Sequence, residues 1–140
     1  MKYLFRAKSE KTGELIYGSL IERQYGYSIG YYQITGMTQS DPCGDTVWVQ
    51  ENILSETICQ WSGLTDINAK YLFNGDIIRS FDSENNEIKH LIGWDDDKAC
   101  FSCECLPRTP FNTVGGIRQS WINEFKKELI GNIFDNPELL

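Results

Sequence analysis

Turn-forming residues interrupt the chain at short intervals, and this spacing constrains the fold more than any other feature. Polar turns at residues 11–14, 74–76, 82–87 and 95–98 each stand between two apolar runs. Glycine and asparagine tolerate positive φ angles, and aspartate side chains bond to the amides of their own turn, so such segments reverse the chain. Reversals every ~8–12 residues are typical of antiparallel sandwiches and barrels. The pattern predicts a mainly β protein with little helix.

The apolar runs between the turns predict where the strands lie. Trp121 and Phe125 are four residues apart, which predicts a short helix within residues 117–125 instead. Residues 106–116 are rich in proline and glycine and are expected to form a loop. Strands are expected at residues 3–7, 15–21, 25–34, 47–50, 71–73, 77–81, 88–94, 99–106 and 128–134. Buried side chains are expected at Trp61, Leu64, Ile77, Phe81, Trp94, Phe101, Ile130 and Ile133.

The charge balance restricts the partners that the chain is expected to have. Its 20 acidic and 13 basic residues give a net charge of -7, whereas proteins that bind nucleic acid through phosphate contacts usually carry a basic face. No apolar run is long enough to span a membrane, and the apolar run before Arg6 is too short for a secretory signal. We therefore expect a cytoplasmic protein with no membrane partner.

Five cysteines and one histidine are the candidate metal ligands and nucleophiles. Cys100, Cys103 and Cys105 show zinc-like spacings, but alternation along a strand places Cys100 on the opposite face from the other two. A Cys–His dyad at His90 is conceivable but has no motif around it. Asp95–Asp97 is expected to be a solvated turn. We expect free thiols, no metal, no cofactor and no catalytic residue.

An aromatic strand is the candidate binding surface. Tyr25, Tyr27 and Tyr31 alternate with small residues, and Tyr32 follows them. One interpretation is a platform that stacks nucleic-acid bases. The other is an ordinary strand whose tyrosine face packs on the core. The opposite face, Gly26, Ser28 and Gly30, would admit close approach of another backbone.

Three blocks of sequence carry a family resemblance. They are Gln60–Asp66 with the preceding Glu56 and Thr57, Asn74–Ile78, and Ile130–Leu140, and Phe5–Ala7 is a weaker fourth. Together they resemble the YopX family of small phage and prophage proteins. Residues 17–50 and 106–125 show no counterpart. The resemblance implies one YopX-like domain over residues 1–140, with N-terminal strands in 1–60 packed on a small SH3-like barrel in 61–140. It implies no catalytic activity.

The residues that carry the resemblance are expected to be structural. Asp76 is expected to accept hydrogen bonds from the amides of its own turn rather than act as a catalytic carboxylate. Ala69 stands where the family has glycine, so a left-handed residue there would be costly. The structural set is Gly63, Leu64, Asp66, Gly75, Asp76, Gly131, Asn132 and Pro137.

The function expected from these observations is a non-enzymatic phage or prophage accessory protein. It would bind a protein partner, or form a homo-oligomer, because small β proteins leave sheet edges open. The alternatives are a nucleic-acid-associated protein that uses the tyrosine strand, and an acidic mimic that inhibits a host DNA-binding protein.

Overall fold

A computed structural model describes residues 4–109 and 115–140. It is mainly β, as the turn spacing predicts, and the described strands pair antiparallel throughout. The strands are β1 Phe5–Lys8, β2 Leu15–Arg23, β3 Gly26–Thr35, β4 Asp45–Asn52, β5 Cys59–Thr65, β6 Tyr71–Phe73, β7 Asp76–Phe81, β8 Glu87–Asp95, β9 Cys100–Leu106, β10 Gly115–Gly116 and β11 Glu128–Asn132. One helix, α1, spans Gln119–Glu124, and two 3₁₀ turns span Ser55–Thr57 and Pro137–Leu139.

The first compact unit, Met1–Gln60, is built from strands in the order β4, β3, β2, β1. The start of β5 continues this order, because Phe5 and Arg6 pair with Gln60 and Cys59. Its core contains Ala7, Ile29 and Ile53, each buried. The polar turns and the alternation of strand residues account for this meander.

The second unit, Trp61–Leu140, contains the rest of β5 paired with β6, and a sheet in the order β10, β9, β8, β7, β11. Ile78 and Ile92 lie in one core cluster with Ile122 of α1. Ile77 and Leu91 lie in a second cluster, against which residues of the C-terminal segment pack. Both faces of the sheet are therefore covered along the middle of β7 and β8.

Two features differ from the expected SH3-like barrel. The described strands form open sheets and no closed barrel. Strand β5 lies between the strands expected at residues 47–50 and 71–73, where the turn pattern predicted none. Its pairing with β6 shifts register between Trp61 and Thr65, and Gly63 has a φ of 85°. A bulge of this kind breaks the period-two pattern by which a strand is recognised.

Two of the expected core residues are on the surface. Phe81 and Trp94 are 51% and 48% exposed. Each lies at the end of its strand beside a polar turn, where Phe81 contacts Arg79 and Trp94 contacts Phe101. Ile77 is fully buried as expected. The others, Trp61, Leu64, Phe101, Ile130 and Ile133, are partly buried.

The other expectations from the sequence concern the helix, the proline- and glycine-rich loop, the first strand and membrane spans. Helix α1 lies within the expected segment, and Gly115 and Gly116 of the expected loop form β10. Residue 3 of the first expected strand and residues 110–114 of the loop lie outside the described residues. In the part of the chain that the structure describes, no helix is long and apolar enough to cross a membrane.

Candidate functional site

The tyrosines of the expected platform do not share one surface. Tyr27 and Tyr31 pack against the core around Ile29, so this face of β3 is turned inward. Tyr25 is in the turn before β3 and is 89% exposed. Tyr32 is 71% exposed and points to the opposite face from Tyr31, since successive strand residues alternate.

Tyr31 is held by a carboxylate. Its hydroxyl donates to Glu51 Oε2 at 2.6 Å, and Ser9 donates to the other oxygen at 3.1 Å. The hydrogen bond to Glu51, with burial and the negative charge of Glu51 adding to it, raises the pKa of Tyr31. The phenol is therefore a fixed donor within the first unit rather than a ring that stacks on a ligand.

The small-residue face of β3 is already occupied. Ser28 and Gly30 are buried, and Ser28 accepts a hydrogen bond from Gln50. A Cβ atom at Gly30 would lie 2.1 Å from the ring of Trp48. The face expected to admit another backbone is therefore filled by the indole of this chain, and Gly30 makes room for it.

Large apolar side chains are exposed at the end of the β3–β4 hairpin that is next to its connecting loop, residues 36–44. The set, which we call the hairpin surface, is Tyr32, Ile34, Met37 and Trp48. Val47, the cross-strand partner of Gln33, is exposed on the opposite face of the hairpin. Tyr32 and Trp48 are cross-strand partners in edge-to-face contact, with 5.0 Å between ring centroids. Aromatic pairs of this kind stabilise a hairpin, yet both rings remain about half or more exposed.

Strand β4 is the edge of its sheet among the described residues, except at its end, where Asn52 accepts a hydrogen bond from Glu10 and Ile53 forms a bridge with Ser9. Its central run, Thr46–Gln50, has no charge, proline or bulge, the features by which edge strands are usually protected from pairing. Sequence reasoning did not single out this run, although the absence of charge between Asp45 and Glu51 was a readable signal.

Asp66 joins two distant segments. Its Oδ1 accepts hydrogen bonds from the amides of Asn68 and Lys70 at 2.8 and 2.9 Å, and its Oδ2 accepts one from Leu129 at 3.0 Å. The carboxylate thus closes its own turn and binds it to β11. In the same region Leu64 accepts a hydrogen bond from the Trp61 indole, one residue after the bulge at Gly63.

Gly75 and Asp76 form the reversal between β6 and β7. Asp76 is fully buried and accepts a hydrogen bond from the amide of Phe73 at 2.8 Å. Gly75 has a φ of 88°, where a side chain would be strained. Its carbonyl accepts from Ile133 at 2.9 Å, so the turn also holds the C-terminal segment.

The C-terminal motif is a compact hydrogen-bonded corner. Asn132 accepts from the amides of Phe134 and Asp135, and Asn136 accepts from the amide of Asn132. A Cβ atom at Gly131 would lie 2.4 Å from Asn136 Oδ1, so a side chain there would displace the oxygen that accepts from the Asn132 amide. Pro137 opens the last 3₁₀ turn.

The cysteines and the Asp95–Asp97 turn are the remaining candidate metal ligands. Cys43 is exposed, whereas Cys59 and Cys103 are buried and Cys100 and Cys105 are partly buried. Asp95 accepts hydrogen bonds from the amides of Asp97 and Lys98, and these bonds lower its pKa. No group of three acidic, histidine or cysteine side chains in the described ranges could hold a metal ion.

The sequence blocks that resemble the YopX family are therefore joined in space by Asp66, Gly75 and the C-terminal corner. The family model described as YopX protein matches residues 4–140. The chain belongs to the YopX family. No curated protein matches it. The crystal structure of protein EF1440 from Enterococcus faecalis is similar over 100% of this chain and 99% of that one, with a TM-score of 0.59 and 24% identity. At 24% identity this similarity shows that the two chains share a fold, and it carries no statement about function.

Proposed function

We propose that this YopX-family chain is a non-enzymatic phage or prophage protein of the bacterial cytoplasm that assembles with a second copy of itself through strand β4. The observation that carries the proposal is the exposed β4 edge beside the hairpin surface. Unpaired N–H and C=O groups of an edge strand are a template for a further strand. Exposed apolar groups beside such an edge add area that leaves water on pairing.

A second β4 is the occupant that fits this edge. Antiparallel pairing of two identical strands places the same residues on both sides of a two-fold axis, which closes the assembly at two chains. The uncharged run Thr46–Gln50 then lies at the centre of the joint sheet. Trp48 and Tyr32 of each copy would lie on the same face of the joint sheet. Aromatic side chains of the two copies would then be neighbours, and cross-strand aromatic pairs are stabilising.

Because of the net charge, self-association and nucleic-acid binding should respond to salt in opposite directions. Each chain carries a net charge of -7, so two copies repel one another. Salt shortens the screening length from ~30 Å at 0.01 M to ~8 Å at 0.15 M ionic strength. Self-association should therefore strengthen as salt rises, whereas binding through phosphates weakens steeply.

The test is light scattering coupled to size exclusion, for the natural chain and for Val47→Lys with Val47→Thr as the matched control. Val47 is 39% exposed, so neither change removes core packing. A lysine at the centre of the edge should raise the dimer dissociation constant at least about tenfold, which is about 1.4 kcal/mol. Threonine keeps the β-branched shape and should leave the dissociation constant nearly unchanged.

A mass that stays at the 16.1 kDa of one chain at high protein concentration and high salt would overturn self-assembly. Single-stranded DNA binding at low salt that is lost in Tyr32→Ala would favour the nucleic-acid alternative. Capture of a host DNA-binding protein that is abolished by salt would favour the acidic mimic. Self-association strengthens with salt whereas both alternatives weaken, so a salt series separates self-association from them, and the bound partner, DNA or protein, separates the two alternatives.

A further inference from the structure

A cavity in the second unit is lined by a histidine and two cysteines, and a buried lysine lies next to the histidine. The cavity has a volume of about 480 Å³ and is lined by His90, Cys103, Cys105, Arg118, Trp121 and Glu124, with the two glycines of β10. Volumes of this order accommodate small molecules. None of its lining residues belongs to strand β4 or to the sequence blocks that carry the family resemblance.

The register of β8 and β9 creates the central pair. His90 is the cross-strand partner of Cys105, and His90 Nε2 lies 3.3 Å from Cys105 Sγ. Two residues along, Cys103 points to the same face of β9. Cys105 is partly exposed, whereas Cys103 is 8% exposed. Only Cys105 therefore combines a histidine partner with access from the cavity.

Lys127 approaches His90 from the other side. Its ammonium donates to Ser80 Oγ at 2.6 Å and lies 3.4 Å from His90 Nδ1 and 4.4 Å from the centre of the Trp121 ring. The lysine is 3% exposed. Because an ammonium only donates, the Nδ1 atom that faces it must accept.

This arrangement assigns the tautomer of His90. Burial, and then the charge of Lys127, lowers the pKa of His90 to about 4, so the ring is neutral at neutral pH. A neutral imidazole that accepts at Nδ1 has its proton on Nε2, directed at Cys105 Sγ. The N–H group and the ammonium behind it stabilise negative charge on that sulfur when it forms. Burial meanwhile raises the pKa of Cys103 to about 11, so its thiol stays protonated.

We propose that Cys105 is a reactive thiol that takes up the half-molecule of a small disulfide, with His90 and Lys127 as positioning residues. The thiol of Cys105 gives its proton to solvent, and its sulfur attacks one sulfur of R–S–S–R. The S–S bond of the small molecule breaks, R–S⁻ leaves and is protonated by solvent, and a Cys105–S–S–R bond forms. A reducing thiol reverses the exchange, so the mark is removable.

The experiment treats the native chain with bis(2-hydroxyethyl) disulfide, an uncharged probe, at neutral pH and maps the modified peptides by mass spectrometry. Cys43, exposed in the loop before β4, is the reference thiol in the same molecule. Attacking sulfurs lose part of their nucleophilicity as their charge is stabilised, so we expect Cys105 to react about fivefold faster than Cys43 rather than by a larger factor.

Two substitutions test the positioning residues. His90→Phe keeps the ring against Trp121 but removes the N–H group, and it should reduce the Cys105 rate to that of Cys43 or below. Cys100→Ser is the matched control, because Cys100 is on the same strand but does not line the cavity, and it should leave the Cys105 rate unchanged.

The rate ratio in the unsubstituted chain keeps the proposal testable if His90→Phe fails to fold. A Cys105 rate no greater than that of Cys43 would overturn the proposal. So would an unchanged Cys105 rate in folded His90→Phe.

Discussion

Replacing Asp66 by asparagine should destabilise the second unit, because this carboxylate supports two segments at once. The side chain is 3% exposed and accepts three amide hydrogen bonds of 2.8 to 3.0 Å. Asparagine has one acceptor oxygen. If that oxygen keeps the amides of Asn68 and Lys70, its NH₂ group faces the amide of Leu129, donor against donor.

The cost follows from these contacts. A buried donor left without an acceptor costs about 1–3 kcal/mol, and the two remaining hydrogen bonds lose the charge of their acceptor. We expect Asp66→Asn to lower the free energy of unfolding by about 2–4 kcal/mol. With a denaturant slope of about 2 kcal/mol per molar urea, the midpoint should fall by about 1–2 M.

Urea unfolding followed by tryptophan fluorescence measures this change, because Trp61 and Trp121 lie in the second unit. The matched control is Asp82→Asn. Asp82 also accepts three hydrogen bonds, from Glu84 and Asn86, but the site is exposed and water can replace the lost acceptor. Equal midpoint shifts in the two variants would refute the reasoning. So would unchanged hydrogen-exchange protection of the Leu129 amide in Asp66→Asn.

Three further predictions concern backbone strain, pH and the core. Ala69 has a φ of 63°, so Ala69→Gly should relieve about 1 kcal/mol of strain, lose about half of it to the greater freedom of the unfolded chain, and raise the urea midpoint slightly. The pKa of His90 falls from 6.5 to about 4 on folding, so the unfolded chain binds more protons between these values. Stability should be complete above pH 6.5 and decline toward pH 4 by up to about 3 kcal/mol, and His90→Gln should flatten that part of a stability–pH curve. Ile78 is fully buried, so Ile78→Ala should cost about 2–5 kcal/mol in urea unfolding. Phe81→Ala, at a residue that is 51% exposed, should cost much less than Ile78→Ala.

Turn chemistry predicted most of the fold because each turn is a local event. Asp82 and Asp95 bind the amides of their own turns, as the side chains of turn aspartates do, and the strands on either side were expected within a few residues of their actual ends. The miss at β5 has a local cause as well. Gly63 is a bulge with positive φ, which resembles a loop when only the residue types are known.

Burial and site geometry depend on long-range packing, so the sequence predicted them less well. The tyrosine alternation of β3 is real, but it does not reveal which face the first unit covers or that Trp48 fills the space above Gly30. Likewise, the single histidine was evident, whereas its alignment with Cys105 depends on strand register. The return of Lys127 to within 3.4 Å of His90 Nδ1 depends on the chain reversing after α1.

The residues that carry the family resemblance are distinct from those that carry the two proposals. Asp66, Gly75 and Asn132 use their polar groups to hold backbone amides and segment ends, which leaves them little capacity to bind anything else. The β4 edge lies within residues 17–50, and several lining residues of the cavity lie within 106–125, the two segments without a motif. A chain could therefore keep every motif and the fold while its edge strand gained a lysine or its cavity lost Cys105. It follows that membership of the family predicts the fold of such a chain, whereas self-assembly and thiol reactivity have to be measured on the residues that it presents at β4 and around His90.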